Sequence, residues 1–153
     1  MVRAAYDARV TSPAFPLDEG TPFGARAARH LREDLVVWMT TVTPSGQPSP
    51  SPVWFLWDGA GSVFMFSRDS PRIRNLADNP RVALNFAGDG GGGDIVVLSG
   101  TATVVPDAVP VHSHLEYLAK YGSAIQRMGK TPEEFSGEYR VPVRIQLTGV
   151  RGH

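Results

Sequence analysis

Residues 62–86, SVFMFSRDSPRIRNLADNPRVALNF, read as strand, tight polar turn, short helix, tight turn and strand. Val63, Met65 and Ser67 alternate with Phe64 and Phe66, so both faces of the first strand start out apolar. Ser70-Pro71 suits a helix start, with a hydroxyl at the N-cap and proline at the first helical position. Asn79-Pro80 ends that helix near Asp78, because the residue before proline is pushed out of the α region. Val82, Leu84 and Phe86 then alternate with Ala83 and Asn85 as a second strand. Unpaired N–H groups at the helix start, with Ser67, Ser70, Arg72 and Arg74, converge on one spot suited to a phosphate. The same residue types also suit an ordinary surface with solvated arginines.

Upstream, residues 35–43, LVVWMTTVT, open the sheet, Pro44-Ser45-Gly46 makes a hairpin turn, and residues 47–57 return as a second strand. Pro48, Pro50 and Pro52 each lack a ladder N–H and, spaced by two, turn that lack to one side, which makes it an unpaired side or an edge. An edge there leaves Ser49 and Ser51 open to a ligand or a second subunit. Val53, Phe55 and Trp57 alternate with Trp54 and Leu56, apolar on both faces, as in a barrel or at an interface. Residues 23–34 predict a helix with a narrow apolar stripe of Ala27, Ala28 and Leu31. Its charges, Arg26, Arg29, His30 and Arg32, form either a solvated face or a basic wall for an anionic ligand. Residues 1–22 read as an irregular arm broken by Pro13, Pro16 and Pro22, with Phe15, Leu17 and Phe23 available to pin it to a neighbour.

Downstream, AGDGGGGD predicts a flexible loop, glycine-rich over 88–93; no helix opens after it, so it is no nucleotide fingerprint. Residues 95–105 predict a long strand with a bulge or bend at Gly100. An amphipathic helix follows over 109–122, with Val111, Leu115 and Leu118 on one stripe and Tyr121 nearby. Residues 124–129 and 131–136 read as two shorter helical pieces, the second opened by Thr131-Pro132-Glu133-Glu134. Residues 141–150 alternate and supply the last strand.

At 153 residues the chain suits one domain able to bury a real core. It has no cysteine, which removes disulfides and thiolate metal sites. Fifteen basic and fifteen acidic residues balance, unlike the net basic charge usual in nucleic-acid binding. There is no apolar run of membrane-spanning length and no signal-peptide pattern, so a cytoplasmic protein is expected. Nucleophilic catalysis finds neither cysteine nor Gly-x-Ser-x-Gly. His112 and His114, two apart on a helix, face away from each other and read as surface residues, so no metal is expected. His153 reads as a frayed end, and His30 is a candidate to approach a ligand. No residue stands out as catalytic. What remains is a phosphate site on a six-stranded antiparallel barrel, suited to a cofactor that carries its own reactivity.

The run SRDSPRIRNLADNPRVAL resembles the pyridoxamine 5'-phosphate oxidase-like split β-barrels, in which a phosphate-binding Ser-x-Lys leads on to Asn-Pro-Arg. Ser70-Pro71-Arg72 takes that place, with Arg72 for the lysine and Pro71 where an arginine often sits. WMTTVTPSGQPSPSPVWFLWDG and GGDIVVLSGTATVV extend the resemblance from about residue 24 to the end. The Pro-Val-Trp-Phe strand, without an upstream phosphate-contacting arginine, looks like the deazaflavin branch. The resemblance implies a mainly β, six-stranded antiparallel split barrel with a few peripheral helices. It also implies a homodimer with cofactors at its interface. Ser51, Pro52, Val53 and Trp54 would run along the cofactor ring, with Phe66 and Ser67 beside ring and ribityl chain. Ser70, Arg72 and Arg74 would take the phosphate. The implied activity is a hydride transfer between coenzyme F420 and a small organic acceptor. The alternatives are an FMN-dependent oxidase or reductase and a non-catalytic flavin- or haem-binding module. Under the F420 reading, Arg26, Arg29 and Arg32 are expected to meet the anionic tail of the cofactor.

Overall fold

The computed structural model describes residue 15 and residues 17–153. Most of the expected arm therefore lies outside the described residues; Phe15 and Leu17 pack against the chain's own core. Helix α1, Pro22–Glu33, starts at Thr21, whose hydroxyl accepts the Gly24 N–H at 3.0 Å. Its buried stripe, Ala27, Ala28 and Leu31, is the one its spacing predicts.

Seven strands form one antiparallel sheet: β1 Val37–Val42, β2 Pro48–Val53, β3 Leu56–Trp57, β4 Ser62–Ser67, β5 Arg81–Asn85, β6 Val96–Val104 and β7 Val141–Gly152. Their order is β2-β1-β5-β6-β7-β4-β3, so β2 and β3 are the two ends of the sheet. Only Trp54 and Phe55 separate them in the chain. Three Cα steps span about 11 Å at most, so the end of β2 lies close to the start of β3 and the sheet is curled toward a barrel. The expected single strand over 47–57 is thus two strands, because the chain must leave one partner and take up another. Counted as one, they restore the expected six. The three prolines of β2 pair with Val42, Thr40 and Trp38 of β1, and among the described residues no strand flanks them on the other side. Gly100 sits at a register shift between β6 and β7. A Cβ there would come within 2.7 Å of the Gln146 carbonyl oxygen, which is why glycine occupies the bend.

Alternation along the strands sorts the apolar side chains into two clusters. Val63, Met65, Phe55, Leu84, Leu98 and Ile145 fill the barrel with α1 and with Leu76 of α2, Pro71–Asp78. Outside the wall, Phe66, Trp54 and Leu56 pack on α3, Leu115–Arg127, and α4, Pro132–Glu138. These helices cover much of the outer face of the doubly apolar segment, which reads from sequence as needing a barrel or a second subunit. Helix α3 departs from the expected pieces. A 3-10 turn, Val111–Ser113, precedes it, and the piece expected over 124–129 is largely its own last turns. Its buried face is Tyr117, Tyr121 and Ile125, while Leu115 is 80% exposed. Thr131 caps α4 through the Glu134 N–H, as its sequence predicts. Among the described residues no helix is long and apolar enough to cross a membrane.

Two histidine expectations are corrected. His114 is buried, and as N-cap of α3 it accepts the Tyr117 N–H. His153 is paired: its N–H donates to the Ile95 carbonyl at 3.2 Å, and its ring lies 3.0 Å from the Gly92 carbonyl. The glycine loop is also tied down, since Asp89 Oδ1 accepts the N–H groups of Gly91 and Gly93. Among the described residues no group of acidic, histidine or cysteine side chains is placed to hold a metal.

Candidate functional site

Helix α2 is held against the barrel by Leu76 and by a buried hydrogen bond from Asn75 Nδ2 to Thr41 Oγ1 at 3.0 Å. That anchor fixes where the first turn of α2 points. Arg72, on that turn, reaches a pocket of about 170 Å³ between β2, β4, α3 and α4. The pocket is lined by Pro52, Val53, Trp54, Phe66, Arg72, Tyr117, Met128, Phe135 and Tyr139. Five of these, Pro52 to Trp54, Phe66 and Arg72, are residues the sequence singles out. Ser51, Ser67, Ser70 and Arg74 are outside the lining. The Ser67 hydroxyl donates to the Arg68 carbonyl at 2.8 Å and lies 3.4 Å from that of Ser70. Ser70 is the N-cap of α2, but its side chain makes no capping bond. Arg74 pairs with Asp69 at 3.5 Å on the surface.

The walls are aromatic and ordered among themselves. Trp54 lies nearly parallel to Tyr121, with centroids 4.6 Å apart, and to Phe135 at 5.5 Å. Phe135 in turn stacks on Tyr139 at 4.3 Å. The rings stack on one another and give the pocket an aromatic wall. Arg72 is half-buried and makes no ion pair or side-chain hydrogen bond with the described residues. Burial pulls its guanidinium below the usual arginine value, with Tyr139 opposing, yet an arginine keeps its charge near neutrality. A half-buried, unpaired cation is costly unless a ligand anion answers it. Burial pushes the Tyr117 and Tyr121 phenols up, so both stay neutral.

The helix arginines do not form the expected wall. None of Arg26, Arg29 and Arg32 lines this pocket. Arg26 pairs with Asp94 at 3.2 Å, and Arg32 pairs with Glu19 at 2.8 Å while lying over the Trp57 ring. His30 is likewise engaged, with Asp34 at 2.8 Å from one ring nitrogen and Asp94 at 3.0 Å from the other. Tyr117, Met128, Phe135 and Tyr139 escape the sequence reading because they come from helices remote in the chain and carry no motif. The four-residue step from Tyr117 to Tyr121 was the available signal.

A curled antiparallel sheet with an aromatic, cation-bearing pocket beside its closing segment defines a split β-barrel protein. The sequence profile of the pyridoxamine 5'-phosphate oxidase family matches residues 23–151, and the chain belongs to that family. No curated protein matches the sequence. Similar solved structures include an F420 reductase, with 21% identity, covering 79% of this chain and 92% of that one, TM-score 0.59. The haem storage protein HutZ from Vibrio cholerae is similar at 18% identity, covering 86% and 95%, TM-score 0.59. An FAD-binding protein from Mesorhizobium loti is similar at 21% identity, covering 76% and 82%, TM-score 0.53. At these identities the likeness establishes the fold.

Proposed function

We propose that this protein is an oxidoreductase that binds the deazaflavin F420 and uses it to reduce a small organic acceptor. The observation that carries the reading is Arg72, a guanidinium unpaired among the described residues, at the start of α2 in a pocket walled by Trp54, Phe66, Tyr117 and Tyr139. The residues fit such a cofactor: Arg72 meets the phosphate and the aromatic side chains wall in the ring. Bound there, the deazaflavin supplies the hydride, while the chain orients it and keeps water away. Pro71 stands where a second phosphate cation is common, a loss that handicaps FMN most because its phosphate is its one anionic anchor. Among the described residues no histidine lines the pocket, so the haem-storage likeness has no imidazole ligand there to support it.

The working unit in this reading is a homodimer. Ligand pockets usually run from about 300 to 1,000 Å³; this one, at about 170 Å³, is smaller, which supports a site completed by a second copy. Trp38, 41% exposed, is paired with the lining residue Pro52, and Leu35 and Val36 beside it are exposed too. A second copy laid on this edge would bury them and wall in the cofactor.

Fluorescence titration with F420 and with FMN tests the cofactor, and oxidation of bound reduced F420 by enones and quinones tests the activity. Tighter binding of FMN overturns the deazaflavin assignment. Tight binding with no turnover by any acceptor makes the protein a carrier.

A further inference from the structure

One charged cluster beside the pocket is used by nothing described so far. Arg68, in the turn between β4 and α2, sends Nη2 to Glu138 Oε2 at 2.7 Å. Lys130 Nζ takes the other carboxylate oxygen, Oε1. Each oxygen of one glutamate therefore holds one cation. The Arg68 guanidinium also lies over the Tyr139 ring, 4.9 Å from its centroid, and Tyr139 is a wall of the pocket. Arg72 lines the same pocket. These four side chains carry three positive charges against the single negative charge of Glu138, so this rim is set up for anions beyond the one it contains.

From this arrangement, and resting on the cofactor reading above, we infer that Arg68 and Lys130 form a second anion subsite of the pocket, with Glu138 holding its place until a ligand anion displaces it. The ligand group is a carboxylate or phosphate oxygen pair, because that is the geometry Glu138 now presents to the two cations. Exchange is cheap on physical grounds. Arg68 and Glu138 are 56% and 40% exposed, and ion pairs so open to water are individually weak. A ligand already anchored at Arg72 brings its next anion at high local concentration, which favours the swap. The stacking of Arg68 on Tyr139 keeps the guanidinium beside the pocket while its carboxylate partner changes. A planar cation on an aromatic face needs no carboxylate to stay there. Glu138 is then a built-in competitor. Removing its charge should improve binding rather than harm it.

Titrations of FMN and of F420 into the wild type and the variants Glu138→Gln, Arg68→Ala, Lys130→Ala and Arg72→Ala test this, at low and high salt. Glu138→Gln is expected to bind three- to tenfold tighter at low salt. Arg68→Ala and Lys130→Ala are expected to bind three- to tenfold weaker with a shallower salt dependence. Losses confined to F420 identify the anion as a tail carboxylate, and equal losses for FMN identify it as the phosphate. The side-chain Nε–Hε resonance of Arg68 should shift during titration of the wild type. If Arg72→Ala alone weakens binding and the other three behave as the wild type, the second subsite is wrong and the cofactor reading stands. If the wild type binds neither cofactor, both fall. A Glu138→Gln variant that melts like the wild type yet binds no tighter also overturns the inference.

Discussion

Arg72 and Lys120 show how a single charge out of water reports on function or on stability. An arginine bound to a phosphate contributes a charge-assisted hydrogen bond of about 1.5–3 kcal/mol, so Arg72→Ala should weaken cofactor binding roughly ten- to a hundredfold. Without cofactor the same variant should melt no lower than the wild type, since the guanidinium has no partner among the described residues to lose. Titration at unchanged affinity would refute its role. Lys120 carries a different message. Its Nζ is buried without a hydrogen-bond partner among the described residues and lies 3.8 Å from the Phe55 ring centroid. Burial pushes its amine down to about 8 from 10.5, with the Asp34 carboxylate opposing. Below pH 8 it is charged in both folded and unfolded chains, and the folded one bears the desolvation cost. Between pH 8 and 10.5 the folded chain sheds the proton first, so stability attributable to Lys120 rises with pH. Lys120→Met should therefore be more stable at pH 7 by about 1 kcal/mol, less than the full shift implies because part of the side chain reaches solvent. That corresponds to roughly 2–4 °C in melting temperature, and the alkaline rise should vanish. A variant that melts lower at pH 7 would show that the cation–π contact outweighs burial.

At the scale of elements, α1 and the glycine loop are joined by His30. Both ring nitrogens face carboxylates, Asp34 on one side and Asp94 on the other, and only a protonated imidazole donates to both. Burial opposes that charge, but the hydrogen bonds to Asp94 and Asp34 outweigh it and hold the ring above its usual value of 6.5. The folded chain keeps this proton longer than the unfolded one. The contribution is therefore complete below pH 6.5 and is lost as the pH rises through the folded value. His30→Gln should lack that alkaline decline, so the wild-type-minus-variant stability curve should fall as the pH rises above 6.5; a flat difference curve would show that folding does not favour the protonated imidazole. The ends of elements were most legible where local chemistry sets them. Ser70-Pro71 and Asn79-Pro80 bracket α2 as expected, Gly100 marks the β6 bend, and Thr131 starts α4. What escaped was decided by partners far along the chain. The break between Val53 and Leu56 has no local signal, because each side is a good strand and only the two ends of the sheet distinguish them. Helix α3 was misphased because Tyr117 and Tyr121, amphipathic by type, carry its buried face in place of Leu115. Arg72, Phe66 and the Pro52–Trp54 run were legible from the motif and its resemblance, whereas the helical walls of the pocket had no motif to announce them.

For the whole molecule, the homodimer is the prediction that reaches furthest. Trp54 is occupied within its own chain, stacked on Tyr121 and Phe135, so it is a poor probe of assembly. Trp38 is the better one. Its exposed indole belongs to β1, and it is paired with Pro52 of the edge strand β2. Trp38→Arg should convert a dimer to monomers in light scattering at micromolar concentration, and cofactor affinity should fall with it because half the enclosure departs. A wild-type mass of one chain would refute the dimer, and a monomeric variant with full affinity would refute the shared site.

The two residues that carry the chain from β2 to β3 have a double duty. Trp54 faces the pocket while Phe55 enters the barrel, and the Tyr121 hydroxyl pins the crossing. That hydroxyl accepts the Phe55 N–H at 2.9 Å and turns its own proton toward the Leu35 and Phe55 carbonyls, at 2.8 and 2.9 Å. Whatever grips the Trp54 indole therefore also grips the seam along which the barrel would unroll. Occupancy of the pocket should be readable as a clock at one amide: deuterium uptake at Phe55 should slow when cofactor is bound, more than at the β5–β6 ladder on the far side of the sheet.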